Sequence, residues 1–422
     1  MRNTDILVSG AGIAGLALAY WLRTAGFTVT VVERAPTPRP GGQTVDLRGA
    51  ARAVVTQMGL MDRAQAVRVN QRGLALVNAS GRITARMPAD SFEGEGIVSE
   101  IEILRGDLAR LLHDATLPDT EYLFDDTITG LEQDDDGVTV TFEKETPRRF
   151  GMVVGADGLH SIVRALAFGP ESDCVRPLNL YTAWFTATED MDLDGWYQMY
   201  NAPRGLVASA RPGRLAGEVK AGLSFRSAPI TYDRRDNAAQ QGIVARHFAD
   251  AGWEVPRLLR AMRTASDFFF DSMGQVRLDH WSRGRVVLLG DAGYCPTPLT
   301  GLGTSLALVG AYVLAGELAS ADGDHRTAFP NYERVMRPYV GQAQQLPPGG
   351  ASGYAPSSAL AIRLREFSMR SMNRWPMRKL LAAQFAKAGD ISLPDYGPHT
   401  DGEQRTTSAE TNHESTKTSG PL

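Results

Sequence analysis

Asp5-Ile6-Leu7-Val8-Ser9-Gly10-Ala11-Gly12-Ile13-Ala14-Gly15, read on to Glu33-Arg34, decides the fold. Asp5 to Val8 is a short buried strand, and Gly10 to Gly26 carries Leu16, Ala19, Tyr20 and Leu22 at helical spacing. Phe27 to Val32 alternates and is rich in β-branched residues, a second strand that stops at Glu33. Strand, helix and strand make a βαβ unit, so the sheet is parallel. The glycines divide the work. Gly10 makes the tight turn, Gly12 lets the backbone approach a diphosphate, and Gly15 lets helix and strand pack closely. The diphosphate then meets the free N–H groups and positive dipole end of the helix beside Ile13 and Ala14. Glu33 stands where it can accept the ribose hydroxyls. The fingerprint suits NAD and FAD equally.

Outward from this unit, Pro36 to Gly42 is loop, because no regular element crosses that run of proline and glycine. Helices are expected over 50–59 and 105–115, with hairpin strands between 73 and 87 and a second hairpin around Asp134-Asp135-Asp136-Gly137. Phe150 to Val154 is a further buried strand. From 175 to 273 the pattern is mostly β, with strands at 181–188, 196–200, 206–211 and 219–225 and helices at 236–250 and 255–264. Arg285 to Leu289 returns to a buried parallel strand, and a helix runs from Ser305 to Ser320. Residues 341–358 read as a linker. Beyond it Leu360, Leu364, Phe367, Met377, Leu380, Leu381 and Phe385 form an apolar helical stripe that should pack on the protein, the alternative being a membrane-surface role. Arg363, Arg365, Arg370, Arg374, Arg378, Lys379 and Lys387 form its solvated basic face. The tail from His399 is polar and should be disordered.

Composition sets the outer limits. The 422 residues fit two or three domains at roughly 150 residues each. Hydrophobic and charged shares of 43% and 22% belong to a soluble globular protein. A net charge of −4 supplies no basic field for nucleic acid. Cys174 and Cys295, far apart, form neither a disulfide framework nor a CxxC pair, which points to a reducing, cytoplasmic compartment. The apolar run Ile6 to Leu22 is too short and too glycine-broken for a membrane span. The histidines show no HExxH spacing, so no metal site is expected.

Two later turns narrow the choice of dinucleotide. Gly155-Ala156-Asp157-Gly158-Leu159-His160-Ser161-Ile162-Val163-Arg164 follows one buried strand, and Gly290-Asp291-Ala292-Gly293 follows another. With the first loop they put three glycine-bearing turns at strand ends, where doubly wound sheets bind ligands. No second GxGxxG occurs, so no dedicated nicotinamide domain is visible. In these three motifs, taken in order, residues 5 to 340 resemble the flavin-dependent aromatic hydroxylases typified by p-hydroxybenzoate hydroxylase. Gly41-Gly42-Gln43-Thr44-Val45-Asp46-Leu47 and Ile103-Leu104-Arg105-Gly106-Asp107-Leu108 look most like the tetracycline-inactivating and polyketide-tailoring branch.

The resemblance implies an α/β fold: a Rossmann-type FAD-binding domain, an inserted mostly-β substrate domain and a C-terminal helix. The expected boundaries are 1–72, 100–174 and 275–340 for FAD, 73–99 and 175–274 for substrate, 341–398 for linker and helix, and 399–422 for the tail. It implies that Gly290, Asp291, Arg105 and Gln43 lie along the ribityl and pyrophosphate parts of FAD, and Arg34 along the adenine. Pro298, Gly301, Leu302, Gly303 and Thr304 would face the isoalloxazine, with the next helix aimed at its pyrimidine end. Asp157 is given contacts to flavin and nicotinamide, against the simpler reading of a turn-capping carboxylate. The chain departs from the family at Gly293-Tyr294, where Ala-His is usual, and at Ser305, where Asn is usual; a serine there can still cap a helix.

The implied activity is hydroxylation of an aromatic or polyketide-like molecule by NADPH-reduced FAD and O2 through a flavin C4a-hydroperoxide. The cofactor carries the chemistry, so the protein supplies position, dryness and electrostatics. Phe268-Phe269-Phe270, Phe225, Trp184 and Leu299 are candidates for the dry wall. Arg39 and Arg48 are candidates for transient NADPH contacts, and Tyr200 and Arg211 for orienting a phenol or enol. No acid or base can be named from sequence. A dehydrogenase or reductase of the same fold, and a ligand-sequestering flavoprotein, are the competing readings. Gly303-Thr304-Ser305-Leu306-Ala307 imitates a hydrolase elbow, but Pro296-Thr297-Pro298 cannot form the strand such an elbow follows.

Overall fold

Ile6, Leu7 and Val8 are fully buried on both faces of the strand Asp5–Ser9, and that strand lies inside a six-stranded sheet. The order is Ser282–Arg283, Val286–Leu288, Met152–Gly155, Asp5–Ser9, Thr28–Glu33, Glu121–Phe124, parallel except at the first pair. The computed structural model describes residues 4–38, 41–91, 101–188, 191–372 and 391–397.

Helix Ile13–Thr24 follows the first strand directly and packs on helix Gly303–Ser320, which also packs on helix His325–Ala343. Gly303–Ser320 is long and apolar enough to cross a membrane, yet it is mostly buried as a core helix. Gly15 permits the first crossover: a methyl group there would lie 1.9 Å from the carbonyl oxygen of Gly10.

A second sheet has seven strands, ordered Phe269–Val276, Val175–Ala187, Val219–Arg226, Leu206–Pro212, Trp196–Ala202, Gly73–Val77, Ile83–Pro88. It is antiparallel except where Trp196–Ala202 runs parallel to Gly73–Val77. Helices Asn237–Phe248 and Val255–Thr264 cover one face through Tyr181, Phe185, Phe225 and Phe270. The opposite face carries Arg211, which reaches Thr44 and Glu102. There Thr44–Asp46 and Glu102–Leu104 form a two-stranded ribbon.

Several elements differ from the sequence reading. Phe150 closes an antiparallel three-stranded sheet, and the central parallel strand begins at Met152. Helix His325–Ala343 was not expected, because Pro330 and Pro338 lie inside it; its last turn occupies the start of the segment read as linker. Gln344 then docks into the core, donating to the carbonyls of Val276 (2.7 Å) and Tyr294 (3.2 Å). The final described helix, Ala359–Met372, leaves Leu360, Leu364 and Phe367 exposed, while Met369 and Arg365 turn toward the protein. The apolar stripe therefore does not pack inward over these residues. Met377, Leu380, Leu381, Phe385, the basic residues from Arg374 to Lys387 and the tail from His399 lie outside the described residues.

Candidate functional site

The three turns meet at the ends of the parallel strands and lock one another in place. Gly10, at φ +105°, has room for no side chain, since a methyl group would sit 2.7 Å from the Ala156 carbonyl oxygen. Arg164 is buried and ties the second turn to the third, donating to the Ala292 carbonyl at 2.9 Å and to that of Leu159 at 2.6 Å. Gly290, at φ +63°, faces the methyl group of Ala14. Arg164 belongs to the second motif, but nothing in the sequence gives it a role.

Gly12 differs from its neighbours. Its φ is −81°, and the nearest atom to an added methyl group is Nη2 of Arg105, 3.7 Å away. No internal contact requires glycine there, so the open space serves something outside the fold. Helix Ile13–Thr24 has no side-chain cap at Gly12, and helix Gly303–Ser320 has none at Leu302. Two helix N-termini thus present N–H groups and positive dipole ends at one opening.

Asp291 is exposed to solvent, yet burial raises its carboxyl pKa, with a Cys295 hydrogen bond and the Arg105 charge opposing that rise. Both properties belong to a group at the floor of a concave opening. Glu33 holds the adjacent end: its carboxylate accepts from the N–H of Ala11 (2.9 Å) and of Ala35 (2.8 Å). A carboxylate has about four acceptor positions, so ribose hydroxyls can still be received. Arg34 is exposed beside it. The cradle fits a dinucleotide.

Asp157 accepts from Ser161 Oγ and from the N–H groups of Ile162 (2.8 Å) and Val163 (3.2 Å). Its turn thus uses both carboxylate oxygens, the simpler of the two expected roles. Arg105 N donates to the Gln43 carbonyl at 2.9 Å, and Gln43 Nε2 reaches the Ala221 carbonyl at 3.2 Å. Gln43 therefore bridges the cradle to the second sheet. The turn Pro298–Thr300 and Gly301 follow, with an added methyl on Gly301 only 3.6 Å from Asp46 Oδ2. The helix starts at Gly303, so Thr304 and Ser305 lie inside it; Ser305 is fully buried and is not its cap.

Alternation along the strands sorts the substrate candidates. Tyr200 and Phe225 belong to the helix-covered core; Phe225 stacks on His247 at 3.9 Å, and neither faces the cradle. Phe270 shares that core and Phe268 packs against it. Arg211 lies on the other face with Trp184, which stacks on Phe269 at 5.9 Å. Leu299 from the turn and Tyr354 pack on the same cluster as Trp184 and Tyr197. Sequence reading missed Tyr197, Met199, Ser224 and Tyr354; the available signal for two of them was their odd spacing from the wrongly chosen Tyr200.

The ribbon and the second sheet share a buried polar network. Arg211 donates to Glu102 Oε2 at 2.9 Å and to Thr44 Oγ1, and its guanidinium lies 3.8 Å over the ring of Tyr197. Glu102 also accepts from Gln71 Nε2 at 2.7 Å. Arg48 is buried and pairs with Asp46 at 2.8 Å. It is neither a surface arginine nor free for a nicotinamide phosphate, so that expectation is corrected; Arg39 lies outside the described residues. Burial, opposed by Arg48 and reinforced by Glu102, pushes the Asp46 carboxyl up to about 7.

Comparison with known proteins gives three findings. A family described as FAD binding domain matches residues 3–339. A flavin-dependent monooxygenase of Legionella longbeachae is 35% identical over 395 residues, covering 94% of this chain and 99% of its own, and an uncharacterized protein of Mycobacterium tuberculosis is 45% identical over 352 residues, 83% and 94%. The crystal structure of tetracycline destructase Tet(55) superposes with a TM-score of 0.77 at 36% identity, covering 94% of this chain and 99% of that one.

Proposed function

Because this chain belongs to the FAD-binding-domain family and is a flavin-dependent monooxygenase, we propose that it hydroxylates a fused-ring phenol or enol of the polyketide type, using NADPH as reductant. The observation that carries the reading is the placement of a glycine-lined cradle beside a face bearing aromatic and phenolic side chains. Leu299 belongs to both, coming from the turn after the third cradle motif and packing with Trp184 and Tyr354.

Gly10, Gly12 and the N-termini starting at Ile13 and Gly303 would hold the FAD diphosphate and ring edge, Glu33 the ribose, and Asp291 with Arg105 the chain between them. Bound and reduced, FAD supplies activated oxygen for insertion into an electron-rich carbon. The chain's own residues then exclude water and fix the substrate. Trp184, Phe269, Leu299 and Met199 give a flat apolar bed. Dryness matters because water diverts activated oxygen from the substrate. Arg211 and Tyr197 give the bed a polar edge. Gln43 and the Gly41-Gly42 pair join the cradle to this bed, where backbone motion can expose the cofactor to NADPH. Both cysteines are free and buried, in keeping with a reducing, cytoplasmic setting.

The test is direct. Holoprotein given NADPH, O2 and a panel of polycyclic phenols should consume NADPH faster with substrate and yield product heavier by one oxygen. NADPH use without oxygen gain across the panel would favour a reductase, and no NADPH use at all a sequestering flavoprotein.

A further inference from the structure

Helix Ala359–Met372 reads in sequence as a strip of solvated arginines, but one of them is drawn inward. Arg365 Nη1 donates to Asn201 Oδ1 and to the Tyr354 carbonyl (2.8 Å), and Nη2 contacts Met199 Sδ at 3.3 Å. Asn201 and Met199 belong to strand Trp196–Ala202 of the second sheet. Glu366, the adjacent carboxylate, is turned away to Thr84 Oγ1 at 2.9 Å.

Two other guanidiniums of this region have counter-charges: buried Arg48 has Asp46 at 2.8 Å and half-buried Arg211 has Glu102 at 2.9 Å. Among the described residues Arg365 has no carboxylate within ion-pair distance; its partners are an amide, a carbonyl and a thioether. Burial lowers its hold on its proton, partly offset by Tyr354 and Tyr197. The guanidinium is half-buried and its partners carry no counter-charge, so a ligand of opposite charge gains a charge-assisted hydrogen bond there. Of the five N–H groups of a guanidinium, these contacts use three. The surroundings define the ligand's shape. Tyr354 and Ser224 hydroxyls lie 3.3 Å apart, Ser224 donates to Thr182 at 2.9 Å, and Trp184 and Leu299 supply flat apolar surface.

We infer that Arg365 receives an ionised ring oxygen of the substrate, a phenolate or enolate, at the edge of the bed formed by Tyr197, Tyr354 and Trp184. This rests on the proposed function and names the ionisation state in which the substrate is bound. Binding releases the substrate's proton to solvent and leaves the ring electron-rich. The C-terminal helix thereby completes the site and selects for acidic phenols over their neutral ethers.

The test uses FAD-loaded protein with the flavin oxidised, so that no reduced-flavin charge contributes. Alizarin, whose anion absorbs to the red of flavin, is titrated in parallel with its neutral dimethyl ether below the pKa of the free dye. Wild type should bind alizarin as its coloured anion. R365Q, at equal FAD content, should bind it roughly tenfold or more weakly and in neutral form, R365K should fall between, and the ether should bind wild type and R365Q alike. An unchanged anion spectrum and affinity in R365Q, tighter binding of the ether by wild type, or no binding of alizarin by a yellow wild-type protein would overturn the inference. A protein that takes up no FAD would instead overturn the function on which it rests.

Discussion

Replacing Gly12 with alanine separates the cofactor's need for glycine from the fold's. The added methyl group has its nearest neighbour, Arg105 Nη2, at 3.7 Å, ordinary contact distance, and φ is −81°, open to any residue. Loss of unfolded-chain entropy stabilises by about 0.4–1 kcal/mol, while alanine is a poorer N-cap than glycine by a similar amount. The apoprotein should therefore keep its stability to within about 1 kcal/mol. A diphosphate approaching the helix N-terminus meets the same methyl group as overpacking, which costs about 1–3 kcal/mol. At 1.4 kcal/mol per tenfold, FAD should bind roughly 5- to 150-fold more weakly. Gly15→Ala is the contrast: its methyl group lies 1.9 Å from the Gly10 carbonyl oxygen, so the apoprotein itself should be destabilised. Urea melts of both apoproteins and flavin-fluorescence titrations read the two effects separately. Wild-type FAD affinity in G12A, or an apoprotein loss in G12A as large as in G15A, would refute the assignment of that space to the diphosphate.

Other consequences follow from particular contacts. His160 bonds Glu171 and Asp271, each at 2.8 Å. Burial opposes protonation, but the two carboxylates prevail and raise its pKa. Its stabilisation is complete below the unfolded value of about 6.5 and is lost as pH rises through the higher folded value. His160→Gln should flatten that slope in a melting-temperature series across neutral pH, and a slope unchanged from wild type would count against it. Arg211→Gln leaves Glu102, 2% exposed, without its guanidinium. Denaturant unfolding should show a loss of about 3–5 kcal/mol, and adding E102Q should recover part of it. A methyl group on Gly310 would lie 2.2 Å from the Tyr294 hydroxyl. Gly310→Ala should cost roughly 1–3 kcal/mol, and the double variant with Tyr294→Phe should be less destabilised than G310A, despite losing the 2.8 Å bond to Tyr332.

The cradle was legible because each of its turns is local. A glycine between a strand and a helix states its backbone need within a few residues, and Gly10, Glu33, Asp157 and Asp291 could be placed on that ground. The cross-links among turns were not, since Arg164 reaches Ala292 across 128 positions. The substrate face was half legible. Period-two alternation divides a strand into two faces but does not say which is covered, so Arg211 was chosen on the cradle side and Tyr200 and Phe225 on the helix side. Arg48 looked like a loop arginine until Asp46 and the ribbon partner Glu102 buried it. Helix His325–Ala343 was hidden by its prolines, which break helices by local rule but are tolerated where Phe329, Tyr332, Met336 and Tyr339 bury a whole face. Among the arginines of helix Ala359–Met372, only the packed structure shows that Arg365 is drawn onto Asn201, Met199 and Tyr354.

A monooxygenase acting at this cradle divides dioxygen between product and water. Turnover of the yellow holoprotein with NADPH, a polycyclic phenol and isotopically labelled dioxygen should give a product carrying one labelled oxygen atom. Product with oxygen drawn from unlabelled water, or NADPH consumption that yields labelled hydrogen peroxide alone across the whole phenol panel, would contradict it.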